Sequence, residues 1–195
     1  GVEALYSNTE GSANIVTGRR ALFSNTKGSS NIVNGNFAMF TNTEGDYNIA
    51  TGGYALYNNL FGSSNIAIGQ SALRGNVNSS GNIAIGGDAM YSYSAGNYNV
   101  AIGGGALRDT TGTYNTAVGN SAGGGVSDYN TALGALALGL AKGDRNVAIG
   151  YSALVNNLGS DNTANGVNAL YNNLSGYHNT ASGSEALYDN TTGRN

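Results

Sequence analysis

Apolar and polar positions recur along this chain with a nearly fixed spacing. Each repeat carries the phrase Asn-x-Ala-x-Gly-x-x-Ala-Leu, which residues 65–73 show in full. The Asn that opens the phrase recurs at intervals of 17 residues five times, then 16, 15, 16, 16 and 17. These positions, called the Asn column below, are Asn14, Asn31, Asn48, Asn65, Asn82, Asn99, Asn115, Asn130, Asn146, Asn162 and Asn179. A period this short predicts a solenoid in which every repeat adds one layer to a stack.

Each repeat is predicted to hold two short strands joined by two turns. The first strand runs from the Asn to the residue before Gly, as in residues 99–102, and the second is centred on Ala-Leu-Tyr, as in residues 55–57. The turns are marked by Gly and by polar runs such as residues 8–11. Helices fit poorly because Gly recurs often and no helical apolar stripe persists across a repeat. We therefore predict an all-β parallel β-solenoid, a β-roll, of about 11–12 coils with 15–17 residues per coil.

Two apolar columns predict the interior of the coil. One is almost invariably large and is broken only by Gly123; this Leu column includes Leu22, Leu56, Leu73, Leu107, Leu138, Leu154 and Leu170. The other lies two residues after each Asn and is small, usually Ala. Large residues facing small ones would fill a thin, close-packed interior.

The Asn column is interpreted as structural. Its central members are Asn65, Asn82, Asn99, Asn115, Asn130 and Asn146. Stacked Asn side chains can hydrogen-bond along a ladder, and Asn tolerates left-handed turn geometry. We favour this role over the alternative, a row of sugar-binding amides.

Alternation along the first strand sends a second set of apolar residues to the outside. The clearest members are Ile66, Ile68, Ile83, Ile85, Val100 and Ile102. A lone chain would expose more contiguous apolar surface than monomers normally tolerate, so we expect self-association through this seam, with closed symmetry. The rival seam is the row of Tyr and Phe residues that follow the Leu column, from Tyr6 to Tyr188.

The phrase Asn-x-Ala-Ile-Gly, seen at residues 82–86, 99–103 and 146–150, resembles two related groups of proteins. One is the YadA-like head of trimeric autotransporter adhesins, and the other is the repeat region of phage tail fibres and of similar bacterial surface proteins. The resemblance covers essentially the whole chain. It implies a left-handed β-roll, a homotrimeric rod, and an extracellular location on a virion or a bacterial surface. The repeat is longer than that of the adhesin heads, and the adhesin neck motif, the membrane anchor and the tail-fibre chaperone domain are absent from these residues.

Composition narrows the possible partners. Charged residues make up 10% of the chain and the net charge is −3, so we expect no nucleic-acid partner. No apolar run reaches the 18 residues or so that a spanning helix needs. There is no Cys and only one histidine, His178, and the acidic residues are scattered through turns. We therefore expect neither an enzyme nor a bound metal or cofactor.

Three functions compete. The leading interpretation is a structural attachment protein: a shaft or head segment of a tail fibre or adhesin, formed by residues 1–195 as a single, uncapped part of a longer fibre. The alternatives are a lateral surface that binds glycan or ice, or a filament subunit that stacks end to end. The glycan alternative depends on tyrosines near the Asn column: Tyr47, Tyr98, Tyr114, Tyr129 and Tyr177. Ice binding is disfavoured because the Thr column at Thr116, Thr131, Thr163 and Thr180 is interrupted. A polysaccharide-cutting enzyme lacks clustered acids.

Overall fold

The computed structural model describes residues 1–92, 96–125 and 127–194. The chain is all-β, with no helix among these residues, and its parallel strands form a β-solenoid of about ten turns. The eleven strands have three residues each: β1 (Ile15–Thr17), β2 (Ile32–Asn34), β3 (Ile49–Thr51), β4 (Ile66–Ile68), β5 (Ile83–Ile85), β6 (Val100–Ile102), β7 (Thr116–Val118), β8 (Thr131–Leu133), β9 (Val147–Ile149), β10 (Thr163–Asn165) and β11 (Thr180–Ser182). The predicted fold class is thus confirmed.

The chain divides into two compact units, Gly1–Asn99 and Val100–Asn195. In the first unit β1 to β5 pair in parallel with their neighbours in chain order, and Ala67 lies opposite Ala84. In the second unit β6 to β11 do the same, and Ala117 lies opposite Ala132. Equivalent residues of successive repeats therefore stack on one another within each unit.

The second predicted strand of each repeat is not a strand. The Ala-Leu-Tyr segment is a run of turns in which Leu56 has a φ of 51° and Tyr54 a φ of 60°. Its amides still bond to the next coil: Leu56 N–H donates to the Ala72 carbonyl at 2.9 Å. The left-handed residues Tyr54 and Leu56 thus direct their amides at neighbouring coils without an extended strand. The prediction of two strands per repeat was wrong because it relied on a β-like composition, which does not reveal the positive φ angles of this segment.

The turn after each strand requires Gly. Gly69 has a φ of +134°, and a Cβ placed there would lie 2.5 Å from the Gly86 carbonyl oxygen of the next coil. Any side chain would therefore push adjacent coils apart. The Gly of the repeated phrase is thus a condition of close stacking.

The interior holds the predicted columns. The fully buried large side chains include Leu22, Leu56, Leu73, Leu107, Leu138, Leu154 and Leu170. They share the interior with fully buried alanines such as Ala67 and Ala84. At Gly123, where the Leu column is interrupted, Leu107 fills the space: its Cδ2 lies 2.7 Å from where a Gly123 Cβ would be. The missing leucine is compensated by its neighbour.

Candidate functional site

The Asn column lies inside the coil. Asn65 receives the clearest set of contacts: its backbone N–H and its Nδ2 both donate to Asn48 Oδ1, at 3.0 and 3.2 Å, and Nδ2 also donates to the Ser79 carbonyl at 2.8 Å. In the second unit, Asn146 N–H donates to Asn130 Oδ1 at 2.8 Å. The buried members include Asn65, Asn82, Asn99, Asn115, Asn130 and Asn146. Amides so buried are positioned to hold coils together and are closed to an external sugar.

A second buried Asn ladder was missed by the sequence reasoning. Asn42 Nδ2 donates to Asn25 Oδ1, and Asn59 Nδ2 to Asn42 Oδ1, both at 2.7 Å. Asn173 repeats the contact with Asn157 in the second unit, also at 2.7 Å. These residues open turns that end in Gly, such as Asn42-Thr43-Glu44-Gly45, and the sequence analysis treated those turns only as polar connections. The signal that could have found them was their 16- or 17-residue recurrence with a Gly two or three positions later.

The outward face of the strands carries apolar side chains that are exposed or half-exposed. We call it the outer strip, and its apolar part comprises Ile15, Ile32, Ile49, Ile66, Ile68, Ile83 and Ile85 in the first unit and Val100, Ile102, Val118, Leu133, Val147 and Ile149 in the second. Ile68 is 40% exposed and Ile85 36% exposed. The last strand position is polar in β1, β2, β10 and β11, at Thr17, Asn34, Asn165 and Ser182. The first position of β1 and β2 stays apolar, with Ile15 64% and Ile32 44% exposed. The predicted seam residues therefore lie together in each unit on a face open to a partner.

In the Tyr and Phe row, which is the rival seam, the rings stack on one another. In the first unit Tyr6, Phe23, Phe40 and Tyr57 stack with centroids 5.2 to 5.4 Å apart. Arg74 lies over the ring of Tyr57 at 5.8 Å. These rings cover one another's faces, while Tyr6 at the end of the row is 71% exposed.

The tyrosines proposed for glycan contact are exposed, as that alternative requires. Tyr114 and Tyr129 stack with their centroids 5.3 Å apart and an interplanar angle of 5°. Parallel stacking covers one face of each ring with the other ring. Both residues have a φ near +58°, but so do the equivalent residues of most other coils, so this conformation belongs to the fold.

The charged groups near His178 form an exposed ion-pair cluster. Arg145 donates two hydrogen bonds to Asp161, at 2.7 and 2.9 Å, and His178 Nε2 lies 3.6 Å from the same carboxylate. The hydrogen bond from Arg145 lowers the pKa of Asp161, and the same bond raises the pKa of Arg145. Among the described residues, no group of three His, Cys, Asp or Glu side chains could hold a metal ion. In the same part of the chain no helix is long and apolar enough to cross a membrane.

No protein-family model, curated protein or solved structure matches the chain.

Proposed function

We propose that this chain is a structural attachment protein: a repetitive shaft or head segment of a phage tail fibre or bacterial surface adhesin. It would act extracellularly as a homotrimer, holding a binding tip away from the virion or the cell. The observation that carries the proposal is the outer strip, since apolar patches of this kind mark interaction surfaces. The sequence resemblance supports the same class.

The repeat favours further copies of the same chain as the partner. Every copy of the chain carries the same rows of Ile and Val at the same spacing, so one copy offers another a surface of matching period. Closed symmetry would cover the strip in all copies at once. Stiffness would come from the backbone and Asn hydrogen bonds that join each coil to the next.

Light scattering coupled to size-exclusion chromatography tests the proposal. We expect a mass of three times the 19.7 kDa of one chain, unchanged on dilution through the micromolar range. A folded monomer over that range would contradict the proposal. A stable dimer would retain self-association and reject the trimer.

A glycan-binding lateral surface is the second candidate, because Tyr114 and Tyr129 are more than half exposed. The variant Tyr114→Ser/Tyr129→Ser should abolish glycan-array signals if these rings bind sugar. As a matched control, Tyr151→Ser changes a tyrosine of similar exposure, 53%, that is not one of the tyrosines named for glycan contact.

A further inference from the structure

Two exposed tyrosines lie on one another in adjacent coils of the second unit. Tyr114 and Tyr129 are both more than half exposed, their ring centroids are 5.3 Å apart and the interplanar angle is 5°. Their φ angles are 58° and 59°, so the two Cβ atoms leave the backbone in the same direction. The N–H of Tyr129 donates to the Thr113 carbonyl at 3.0 Å, which holds the two coils in this register. The backbone thus keeps two phenols side by side at the surface.

The composition makes tyrosine the group that an oxidant meets first. The chain has no Cys and no Trp, and its two methionines, Met39 and Met90, are fully buried. Cys and Met are the side chains that oxidants usually attack, and their susceptibility depends on exposure. Because these groups are absent or enclosed, an oxidant at the surface of the chain reacts with the exposed phenols instead.

The pair joins coils that share fewer Asn hydrogen bonds than the coils of the first unit. Thr110 and Ala141 stand where Asn would continue the second Asn ladder. In the Asn column, Asn130 N–H still donates to Asn115 Oδ1 at 2.8 Å, but Asn130 Nδ2 donates to the Asp128 carbonyl of its own coil. The equivalent Nδ2 groups of the first unit donate to the Asn of the previous coil. A covalent bond between the paired tyrosines would add a connection at this place.

We propose that Tyr114 and Tyr129 form an oxidative cross-linking site, at which hydrogen peroxide and a haem peroxidase join the two rings as dityrosine. Each phenol loses one electron and one proton to give a phenoxyl radical, whose unpaired electron is shared with the ring carbons beside the hydroxyl. One such carbon from each ring forms the new C–C bond. The hydrogen of each of these carbons then moves through solvent to the phenol oxygen, which restores both rings. The two electrons and two protons removed at the start reduce one hydrogen peroxide to two waters.

Stacking decides which tyrosines couple. Tyr47 is exposed and lies in the same column, but the residues above and below it in that column are Ser30 and Ser64. A radical at Tyr47 therefore has no second phenol in the adjacent coils of its column, whereas a radical at Tyr114 faces Tyr129 directly. Holding two reacting groups together makes their coupling effectively unimolecular, so it outruns coupling between separate molecules. The cross-link is expected within one chain, and only where two tyrosines stack.

Peptide mapping of the intact chain after brief treatment with hydrogen peroxide and a haem peroxidase tests the proposal. Cleavage before Asp128 separates the two tyrosines, and we expect their peptides to be linked with the loss of two hydrogen atoms. Mass spectrometry is needed because Tyr171 and Tyr188, stacked at 4.9 Å, would add to dityrosine fluorescence. When unlabelled and isotope-labelled chains are refolded together, each link should join peptides of one isotope. Absence of the linked peptide, or mixed-isotope links in random proportion, would overturn the proposal.

Three variants provide the second test. Tyr129→Phe keeps a ring but removes the phenol, so it should lose both the linked peptide and the rise in urea midpoint that oxidation gives the original chain. The matched control Tyr47→Phe should keep both. Ser64→Tyr places a phenol beside Tyr47 at a position whose φ is already 59°, and it should create a new link there. Oxidation of the chain unfolded in urea should give at least several-fold less of the Tyr114–Tyr129 link, and an equal yield would refute the role of stacking.

Discussion

At the scale of single residues, buried amides bind one coil to the next. Asn59 Nδ2 donates to Asn42 Oδ1 and to the Gly62 carbonyl, while Asn59 Oδ1 accepts from Asn76 Nδ2. In Asn59→Ala the oxygen of Asn42 loses its donor inside the coil. We expect a loss in unfolding free energy of at least about 1–3 kcal/mol, the usual penalty for an orphaned buried polar group. Urea unfolding measures it, and the exposed neighbour Asn58→Ala is the control; equal midpoints would contradict the ladder's role.

The Arg145–Asp161 pair gives a residue-scale pH dependence. Because the folded pKa of Asp161 is lowered, its stabilising contribution is present above the pKa of the unfolded chain and disappears as the pH falls through the folded value. An NMR titration should place the pKa of Asp161 below the ordinary value, and Arg145→Gln should raise it. His178→Gln should raise it less, since the interaction with His178 is the smaller cause. A larger effect of His178→Gln would contradict this ranking.

The sequence predicted the structure correctly where residue type and repeat spacing indicated the same environment. It failed where a residue adopts a backbone conformation that its type disfavours. The Leu and Asn columns were both evident, and the structure buries both. Leu56 at a φ of 51° could not be anticipated, because a left-handed leucine costs about 1–2 kcal/mol locally and is accepted only when burial and inter-coil hydrogen bonds outweigh that cost. The recess lined by Gly105, Leu136, Leu140 and Val155 could not be anticipated, because its lining residues are separated by up to 50 positions in the chain.

At the scale of the structural element, the second Asn ladder can be extended. Among its positions in the second unit, Thr110 and Ala141 replace Asn before the ladder resumes at Asn157. The turn at residues 141–143 has the same length and final Gly as the turn at 157–159, so an Asn should fit at position 141. Ala141→Asn would give Asn157 Nδ2 a new acceptor.

We expect Ala141→Asn to raise the free energy of unfolding by about 0.5–1.5 kcal/mol, the net value of one added hydrogen bond. Thermal and urea unfolding should both report the gain. The control is Ala137→Asn, which puts the same amide at another fully buried alanine away from the ladder, and it should destabilise the chain. Destabilisation by Ala141→Asn as well would show that the position does not accept a rung.

At the scale of the whole molecule, charge substitutions can locate the contact between copies, because the outer strip has both apolar and polar positions. Ile85 ends β5 and Asn34 ends β2, and both side chains point outward from the first unit. If copies associate through the apolar part of the strip, Ile85→Asp would place a carboxylate in a dry contact, at a cost of several kcal/mol. Asn34→Asp adds the same charge at a strand end that is already polar.

Sedimentation velocity should therefore find Ile85→Asp dissociated at concentrations where Asn34→Asp and the unmodified chain remain assembled, a shift of about 100-fold or more in the association constant. Circular dichroism of the dissociated variant should match the unmodified chain, because Ile85 is directed away from the interior. Dissociation by both variants would show that net charge, not the seam, governs assembly. Assembly of Ile85→Asp at unmodified strength would reject the outer strip and leave the Tyr and Phe row as the contact between copies.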